Sequence, residues 1–183
     1  KKKKIDIPNW SFTRPTKKNF LIKDFKSFGG SLVENFSKHK KLKKNQYYQR
    51  IIEGEHVSIQ FICINSTMRI LSVCDQFFKK NSFNPFIIES IISKKVSSRM
   101  LSKLSKICKH ISNFYNLNGI NNLDLVIESN TKKIFVIELN ARPGLSTNII
   151  CKIHKDIFND SFLKKEYSNP KYFFGTQILY SRK

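Results

Sequence analysis

Asp124, Glu138 and Asn140 are the residues whose types and spacing point most directly to chemistry. Carboxylate and amide oxygens are hard ligands, and Mg²⁺ binds such groups together with waters and substrate phosphates. A metal site of this kind would let the protein act on a phosphorylated ligand. It requires a fold that brings Asp124, which is distant in sequence, onto the same face as the other two residues.

The sequence between these residues predicts an antiparallel hairpin. Two runs rich in β-branched residues, Leu123–Glu128 and Ile134–Leu139, flank the polar turn Ser129–Lys133. With the hairpin centred on that turn, Asp124 faces Glu138 directly, at about 5 Å for opposed side chains. Two like charges at that distance repel, so a nearby cation or a proton on one acid must compensate.

The same register pairs Asn122 with Asn140. Because side chains alternate along a strand, Asn140, Glu138 and Asp124 then share one face. The opposite face would be core and carries Leu123, Leu125, Ile127, Phe135, Ile137 and Leu139. A slip of one residue would turn Asp124 away and remove the metal site. The competing interpretation is a solvated face on which the acids contact nearby lysines.

The chain has a formal net charge of +21 in 183 residues, of which 40% are hydrophobic. That length and apolar content suffice for one domain or two small lobes with a real core. No run approaches the roughly 20 apolar residues of a membrane span, which predicts a soluble, cytoplasmic protein without a membrane partner. The excess charge is mostly scattered lysine, and the sequence has no zinc-finger or helix-turn-helix motif, so nucleic acid is a disfavoured partner.

The four cysteines, Cys63, Cys74, Cys108 and Cys151, are far apart and include no C-x-x-C pair. The four histidines are equally scattered, which argues against a zinc site. Buried free thiols in a reducing compartment are therefore expected.

A short apolar run at Asn19–Phe25 contains Lys23 and leads into the turn Gly29-Gly30-Ser31. A strand followed by such a turn is a candidate phosphate cradle, because glycines let backbone N–H groups close on an anion. Lys23 would be the nearby point charge. The competing interpretation is that Gly29 and Gly30 only form an ordinary turn.

The other strands are predicted from alternation and turns. Val57–Cys63 and Met68–Cys74 form a second hairpin, and Lys171–Tyr180 forms a final strand. The stretch 77–93 is apolar but irregular, and Pro85 excludes a long helix there.

The strongest helix pattern is Val96–Leu117, with Ser97 or Ser98 as its cap, and Ser146–Phe158 predicts a second helix. The apolar stripe of the first helix would be core and consists of Met100, Leu101, Leu104, Ile107, Cys108, Ile111 and Phe114. Hairpins that alternate with helices indicate an α+β fold with a mostly antiparallel sheet.

Taken in order, these segments resemble the ATP-grasp ligases. A lysine strand with a glycine loop is followed by Q-x-I-I-x-G-E, and then by G-x-x-x-L-D-L and I-E-L-N-A-R-P-G. The resemblance runs from Phe20 to Cys151 and is most specific in its C-terminal part. Within the superfamily the chain is most similar to the carboxylate–amine ligase branch and to related proteins of one-carbon metabolism. The resemblance implies an ATP-grasp fold, of class α+β, in which the nucleotide is held between two lobes.

The resemblance also implies where ATP would bind. Lys23 would contact the nucleotide phosphates. The loop that folds over them would consist of Gly29, Gly30 and Ser31. The hinge beside adenine would consist of Gln49, Arg50, Ile51 and Ile52. Glu55 would reach the ribose.

By the same resemblance, one or two Mg²⁺ ions, with Mn²⁺ as an alternative, would be held by Asp124, Glu138 and Asn140. Lys23 and Arg142 would be catalytic, with Arg142 steadying the transferred phosphoryl group or the acyl phosphate. In such ligases a carboxylate takes the γ-phosphoryl group and an amine then attacks the acyl carbon, so the implied partners are a small-molecule carboxylate and an amine. Catalysis of this kind depends on positioning and charge neutralisation. The alternatives are an inactive nucleotide-binding scaffold and, ranked lower, a basic nucleic-acid-binding module.

Three positions depart from the family pattern. Asp24 stands where the family usually has proline, Phe28 interrupts the glycine run, and Ala141 replaces the proline before the arginine. The Rossmann-like domain that precedes these segments in the family is not identifiable in the sequence. Three alternatives stay open, namely a fragment that lacks an N-terminal domain, a reduced form of the family, and a chain that needs a partner subunit. The substrates stay open as well.

The predicted organisation has three parts. An irregular basic leading segment occupies residues 1–18. The smaller lobe, with the lysine strand and the glycine loop, occupies residues 19–54. The larger lobe, with the metal-binding hairpin, occupies residues 55–183.

Overall fold

A computed structural model describes residues 5–26, 32–37, 40–79, 85–154 and 167–179 of the chain. The described strands form two antiparallel sheets, one of four strands and one of six, and helices pack on the larger sheet. This is the α+β arrangement predicted from the alternation of hairpins and helices. No helix within these ranges is long and apolar enough to cross a membrane.

The smaller sheet is built from β1 Trp10–Ser11, β2 Phe20–Asp24, β3 Val33–Asn35 and β4 Gln46–Arg50. Its order is β1-β4-β2-β3. Leu21 pairs with Gln49, and Lys23 pairs with Tyr47. Because paired residues point to the same side of a sheet, these four side chains share one face. That face looks into the space between the two sheets.

The larger sheet is built from β5 Gly54–Ile64, β6 Thr67–Phe78, β7 Ile88–Ser93, β8 Gly119–Glu128, β9 Ile134–Asn140 and β10 Gly175–Gln177. Its order is β10-β7-β6-β5-β8-β9. Strands β5 and β6 form the predicted second hairpin. Its turn residues Asn65 and Ser66 have φ angles of 48° and 63°, as a two-residue hairpin turn requires.

The chain passes from the smaller to the larger sheet between Arg50 and Gly54. Strand β1 belongs to the smaller sheet but lies inside the predicted leading segment 1–18. The three-part division of the chain stays a prediction. The expectation that residues 77–93 are irregular was wrong for β7. This strand pairs with β6 and β10. Its extended conformation is therefore set by the neighbouring strands more than by alternation of polar and apolar residues in its own sequence.

Helix α1, Ser98–Tyr115, covers one face of the larger sheet. Its predicted cap is confirmed, because the Ser97 hydroxyl accepts a hydrogen bond from the backbone N–H of Met100 at 3.2 Å. Asn116, in the left-handed conformation, closes the helix. Phe114 was expected in the core but is 73% exposed, because the last turn of α1 borders a surface groove.

The site hairpin has the predicted register at its open end. Asp124 pairs with Glu138, and Asn122 pairs with Asn140. The prediction that carboxylates from the two strands face each other is therefore confirmed. Ser58 of β5 flanks Asp124 on its other side, so the acid lies between two paired strands of the sheet.

A β-bulge changes the register directly beyond Asp124. Leu125 pairs with Val136, which leaves Ile137 as the extra residue of β9. As a result Ile134 and Val136 pack against the core. The expectation that Phe135 and Ile137 would do so was wrong, because one added residue exchanges the two faces of the strand.

The C-terminal elements are shorter than predicted. Helix α2 is Thr147–Ile153, and residues 155–158 of the predicted helix lie outside the described residues. The final strand is limited to Gly175–Gln177, and Tyr180 is not described. Three of the four thiols are buried as expected, but Cys151 on α2 is exposed.

Gly54 allows β5 to approach β8 closely. A Cβ atom at this position would lie 2.1 Å from the carbonyl oxygen of Ile127. We expect Gly54→Ala to destabilise the protein by about 1–3 kcal/mol or more, because paired strands must move apart. In Gly175→Ala the nearest atoms would lie 3.5 Å away, so this control should change stability by less than about 0.5 kcal/mol. Thermal or urea unfolding measures both changes, and equal effects would contradict the prediction.

Candidate functional site

A cavity of about 410 Å³ lies between the two sheets. Its volume is typical of a small-molecule site. The smaller sheet contributes Lys23 and Gln49, and β8 and β9 contribute Asp124, Glu138 and Asn140. The chain after β9 contributes the residues from Arg142 to Leu145. The cavity thus collects residues that are far apart in the sequence.

The Asp124 carboxylate is fixed by donors from neighbouring positions of the sheet. The Gln76 side-chain N–H₂ group donates to Asp124 Oδ1 at 3.0 Å, and that of Asn122 donates to the same oxygen at 3.1 Å. The Ser58 hydroxyl donates in turn to Asn122 Oδ1 at 2.9 Å. These bonds hold Asp124 in one orientation before any ligand binds.

Burial raises the pKa of Asp124 to about 6, and the neighbouring Glu138 adds to the increase. The hydrogen bonds from Asn122 and Gln76 act in the opposite direction, because they favour the charged form. The two carboxylates thus show the repulsion expected from their register. A cation between them would remove that repulsion.

Lys23 is the buried cation opposite this pair, and only 6% of its surface is exposed. Burial lowers the pKa of Lys23, whereas the charges of Glu138 and Asp124 raise it. The competing interpretation was that the acids lie on a solvated face of the hairpin. A buried lysine from the other sheet, beside these acids in a cavity, favours a binding site instead.

Gly144 connects the Arg-Pro-Gly turn to the carboxylate site. A Cβ atom at this position would lie 2.6 Å from Asn122 Oδ1, so the glycine makes room for the amide that holds Asp124. Arg142 donates to Asn140 Oδ1 at 3.3 Å and to the Pro143 carbonyl at 3.2 Å. Arg142 is exposed at the cavity edge and orients the amide of Asn140.

Most of the residues predicted to bind the nucleotide line the cavity. Glu55 does not, and the predicted glycine loop is not described by the structure. The hinge residues that line the cavity are Gln49, Arg50, Ile51 and Ile52. Glu55 is not among the lining residues, and it forms an ion pair with Lys94 at 3.0 Å. The loop Gly29-Gly30-Ser31 lies outside the described residues. The roles of all these residues stay predictions.

Several lining residues were not identified from the sequence. Gln76 lies on β6 and reaches Asp124 across the sheet, which no motif indicated. His56 packs against Phe78 and Phe86, with ring centroids 4.8 and 5.6 Å away, at an apolar end of the cavity. Burial lowers the pKa of His56 to about 4. This histidine is therefore neutral at physiological pH.

The donor set fits Mg²⁺ with a phosphorylated ligand better than it fits zinc. Asp124, Glu138 and Asn140 supply two carboxylates and one amide oxygen, which are ligands of a hard cation. The described part of the chain contains no group of three His, Cys, Asp or Glu side chains that could hold a metal ion. A metal here would therefore need oxygens from water or phosphate to complete its coordination.

The profile of the ATP-grasp domain matches residues 1–146 of the chain. No curated protein matches the chain by sequence. Among solved structures, an ATP-grasp superfamily protein from Archaeoglobus fulgidus is similar, with a TM-score of 0.71 and 19% sequence identity. The match covers 94% of this chain and 52% of that chain.

Two further solved structures share the fold. The L-amino acid ligase from Bacillus licheniformis matches with a TM-score of 0.64 and 17% identity, over 83% of this chain and 40% of that chain. The biotin carboxylase from Campylobacter jejuni, solved with β,γ-ATP, matches with a TM-score of 0.66 and 12% identity. This match covers 91% of this chain and 44% of that chain. At these identities the likeness is one of fold. The chain spans about half the length of the solved structures that it matches, or less.

Proposed function

The chain belongs to the ATP-grasp family, and from that premise we propose that it is an ATP- and Mg²⁺-dependent ligase joining a carboxylate to an amine. One observation carries the proposal. Lys23 from the smaller sheet and the paired acids Asp124 and Glu138 from the larger sheet line one cavity. A cation facing two carboxylates is suited to a polyphosphate that brings its own metal ion.

In this proposal the nucleotide lies between the sheets. Lys23 contacts its phosphates, and residues 49–52 lie beside adenine. The apolar end of the cavity, with neutral His56 and its two phenylalanine neighbours, offers a surface for a flat, uncharged ring system. Glu55 reaches the ribose only if the ligand competes with Lys94 for its carboxylate.

Asp124, Glu138 and Asn140 would hold Mg²⁺, which neutralises phosphate charge when it is bound. The chain's own contribution is to orient these oxygens. Asn122 and Gln76 fix Asp124, and Arg142 orients Asn140. Arg142, which lines the cavity at its edge, would steady the acyl phosphate.

The proposed reaction has two steps. A substrate carboxylate oxygen bonds to the γ-phosphorus of ATP while the bond from that phosphorus to the β–γ bridging oxygen breaks. This step yields an acyl phosphate and ADP. The amine nitrogen then bonds to the acyl carbon, phosphate leaves, and the nitrogen loses a proton to give an amide. Positioning and charge neutralisation by the residues above would drive both steps.

The test is thermal unfolding with ATP plus Mg²⁺, with ATP plus EDTA, and with Mg²⁺ alone. We expect a rise in the midpoint that needs both components, because a ligand that binds only the native state stabilises it by mass action. At a hundredfold excess over the dissociation constant the gain is about 2.7 kcal/mol. An equal rise in EDTA would contradict the metal site, and no rise would contradict nucleotide binding.

Turnover separates a ligase from a nucleotide-binding scaffold. ADP release should require a carboxylate, and with an amine also present it should be faster and matched by an equal amount of product amide. Binding of ATP plus Mg²⁺ without ADP release across panels of both substrates would favour the scaffold.

A further inference from the structure

A chain of hydrogen bonds connects β5 and the start of α2 to the Arg-Pro-Gly turn, residues 142–144. The Thr147 hydroxyl donates to the Gly144 carbonyl at 2.7 Å, and the Thr147 backbone N–H donates to the same oxygen at 3.2 Å. The Gln60 side-chain N–H₂ group donates in turn to the Thr147 hydroxyl oxygen at 3.1 Å. We call Gln60, Thr147 and Gly144 the clamp. No sequence motif indicated Gln60 or Thr147.

The clamp lies beside the residue that fixes Asp124. Gln60 of β5 pairs with Asn122 of β8, so their side chains are neighbours on one face of the sheet. Gly144 lies against Asn122 so closely that a Cβ atom would be 2.6 Å from its Oδ1. Asn122 donates to Asp124 at 3.1 Å. The turn is therefore tied to Gln60 through Thr147 while it packs on the amide that orients Asp124.

The burial of Gln60 is hard to explain by packing alone. No part of its surface is exposed, and its Oε1 has no hydrogen-bond partner within the described part of the chain. A buried amide oxygen without a partner is unfavourable for folding, and an apolar side chain would avoid that cost. What the amide supplies is the hydrogen bond to Thr147, which an apolar side chain could not make.

The same turn begins with Arg142. Its guanidinium donates to the Pro143 carbonyl at 3.2 Å and to Asn140 Oδ1 at 3.3 Å. Only one residue separates Arg142 from Gly144, so a displacement of the glycine would also displace the arginine. The clamp thus acts on the residue proposed to steady the acyl phosphate and on the support of Asp124.

We propose that Gln60 and Thr147 are positioning residues, which hold the turn against Asn122 and thereby keep Asp124 and Arg142 correctly oriented. This inference rests on the proposed ligase function. Neither Gln60 nor Thr147 is among the residues that line the nucleotide cavity. Their loss should therefore change the geometry of the site without removing a contact to the nucleotide.

Three substitutions separate the clamp from general packing of α2. Thr147→Val keeps the shape of the side chain but removes the hydroxyl and both of its hydrogen bonds, whereas Thr147→Ser keeps the hydroxyl. Ile150→Val is the control, because Ile150 is buried on the same helix and packs against Leu71. It should loosen α2 without removing a hydrogen bond of the clamp. Unfolding midpoints of all variants show how far each one affects stability.

The first measurement is binding of Mn²⁺ without nucleotide, followed by electron paramagnetic resonance of the free ion. We expect Thr147→Val to weaken Mn²⁺ binding about tenfold, which is typical for loss of a group that supports a metal ligand. Thr147→Ser should restore the affinity, and Ile150→Val should leave it unchanged. ATP affinity in EDTA should be the same in every variant. In turnover, Thr147→Val should lower kcat while KM for ATP stays the same.

The second measurement is hydrogen exchange of the backbone amides in residues 142–150, which reports the turn directly. Exchange should be faster in Thr147→Val and in Gln60→Met, because each removes a bond of the clamp. It should be unchanged in Ile150→Val at the turn itself. The double variant Gln60→Met with Thr147→Val should weaken Mn²⁺ binding less than the sum of the single effects, since both remove the same contact.

Each outcome decides the inference. Unchanged Mn²⁺ affinity in Thr147→Val, or an equal loss in Ile150→Val, would overturn it. Faster exchange at the turn with unchanged Mn²⁺ affinity would leave a structural contact and overturn the positioning role. If the unmodified protein binds neither Mn²⁺ nor ATP, the proposed function fails and the positioning role fails with it. If the unmodified protein binds both and Thr147→Val binds them equally well, only the positioning role fails.

Discussion

Asp124→Asn should make the metal-free protein more stable at pH 8 and, at the same time, abolish the Mg²⁺-dependent part of its stabilisation by ATP. Burial and Glu138 raise the pKa of Asp124 from its ordinary 3.8 to about 6. The ionised acid is therefore unfavourable in the folded protein, and an amide of the same shape removes that cost. The same change removes one of the two carboxylates proposed to hold the metal.

The sign follows from proton binding in the two states. Between pH 3.8 and about 6 the folded protein holds a proton on Asp124 that the unfolded chain has lost. The free energy of unfolding therefore falls as the pH rises through this range. The full difference amounts to about 3 kcal/mol above pH 6 and vanishes below pH 3.8. Asp124→Asn should accordingly gain about 3 kcal/mol at most at pH 8, and nothing near pH 3.5.

His56 works in the opposite direction over nearly the same range. Its pKa falls from 6.5 to about 4 through burial, so the unfolded chain binds the proton first and stability is lost as the pH falls. In the natural sequence the two contributions oppose each other between pH 4 and 6. Asp124→Asn should therefore show a clear rise in stability with pH that the unmodified protein lacks.

Urea unfolding in EDTA at pH 3.5, 5 and 8 measures this difference. Glu89→Gln is the control, because Glu89 is an exposed acid on β7 whose side chain does not line the cavity. It should change stability by less than about 0.5 kcal/mol. If the Asp124→Asn protein is less stable than the original at pH 8, the claim that the ionised Asp124 destabilises the folded protein is wrong. An Asp124→Asn protein that keeps the full response to ATP plus Mg²⁺ would contradict the metal assignment.

Local pattern predicted the parts of the site that depend on local geometry. The hairpin itself and the outcome that Asp124 lies opposite Glu138 were predicted correctly. Next to the turn, however, Ile127 pairs with Ile134, one residue away from a hairpin centred on Thr131, and the bulge at Ile137 restores the predicted pairing at Asp124. The bulge at Ile137 was not predictable in this way. It depends on how the hairpin twists against β5, and no residue type in β9 marks it.

Contacts between separate elements lay beyond such reasoning. Gln76 reaches Asp124 from β6, and Lys94 holds Glu55 from the segment before α1. Both depend on the order of strands in the sheet, which composition and spacing do not fix. Phe114 follows the helical spacing of a core residue, yet the groove next to the last turn of α1 leaves it exposed. Periodicity identifies the apolar face of a helix but not where the neighbouring sheet ends.

The resemblance to a family identified Lys23, but the packing of the two sheets makes it a buried residue of the cavity. From the sequence of its strand alone, Lys23 could equally be an edge residue in contact with solvent. The structure places it inside the cavity, where burial and the acids act on its pKa in opposite directions. An ammonium group in this position loses hydrogen bonds to water, and a bound phosphate or a nearby carboxylate can compensate for that loss.

Lys23→Met should weaken ATP binding about 10- to 100-fold, which is the range for loss of a charge-assisted hydrogen bond to a buried group. Methionine keeps the length and apolar character of the buried stem, so the smaller sheet should fold normally. Lys26→Met is the matched control, because Lys26 follows closely on the same strand end and is exposed. Calorimetric titration with ATP plus Mg²⁺ should show a loss for the first variant and little change for the second.

Lys23→Met and Asp124→Asn should also differ in their affinity for metal ions in the absence of nucleotide. This difference tests whether the lysine and the acids act on the same metal site. Loss of Lys23 removes a cation from the vicinity of the acids, so Mg²⁺ or Mn²⁺ binding without nucleotide should stay the same or become tighter. Loss of the Asp124 charge should weaken it. If Lys23→Met and Lys26→Met reduced ATP affinity equally, the effect would belong to the general positive charge of the chain, and a specific phosphate contact by Lys23 would be excluded.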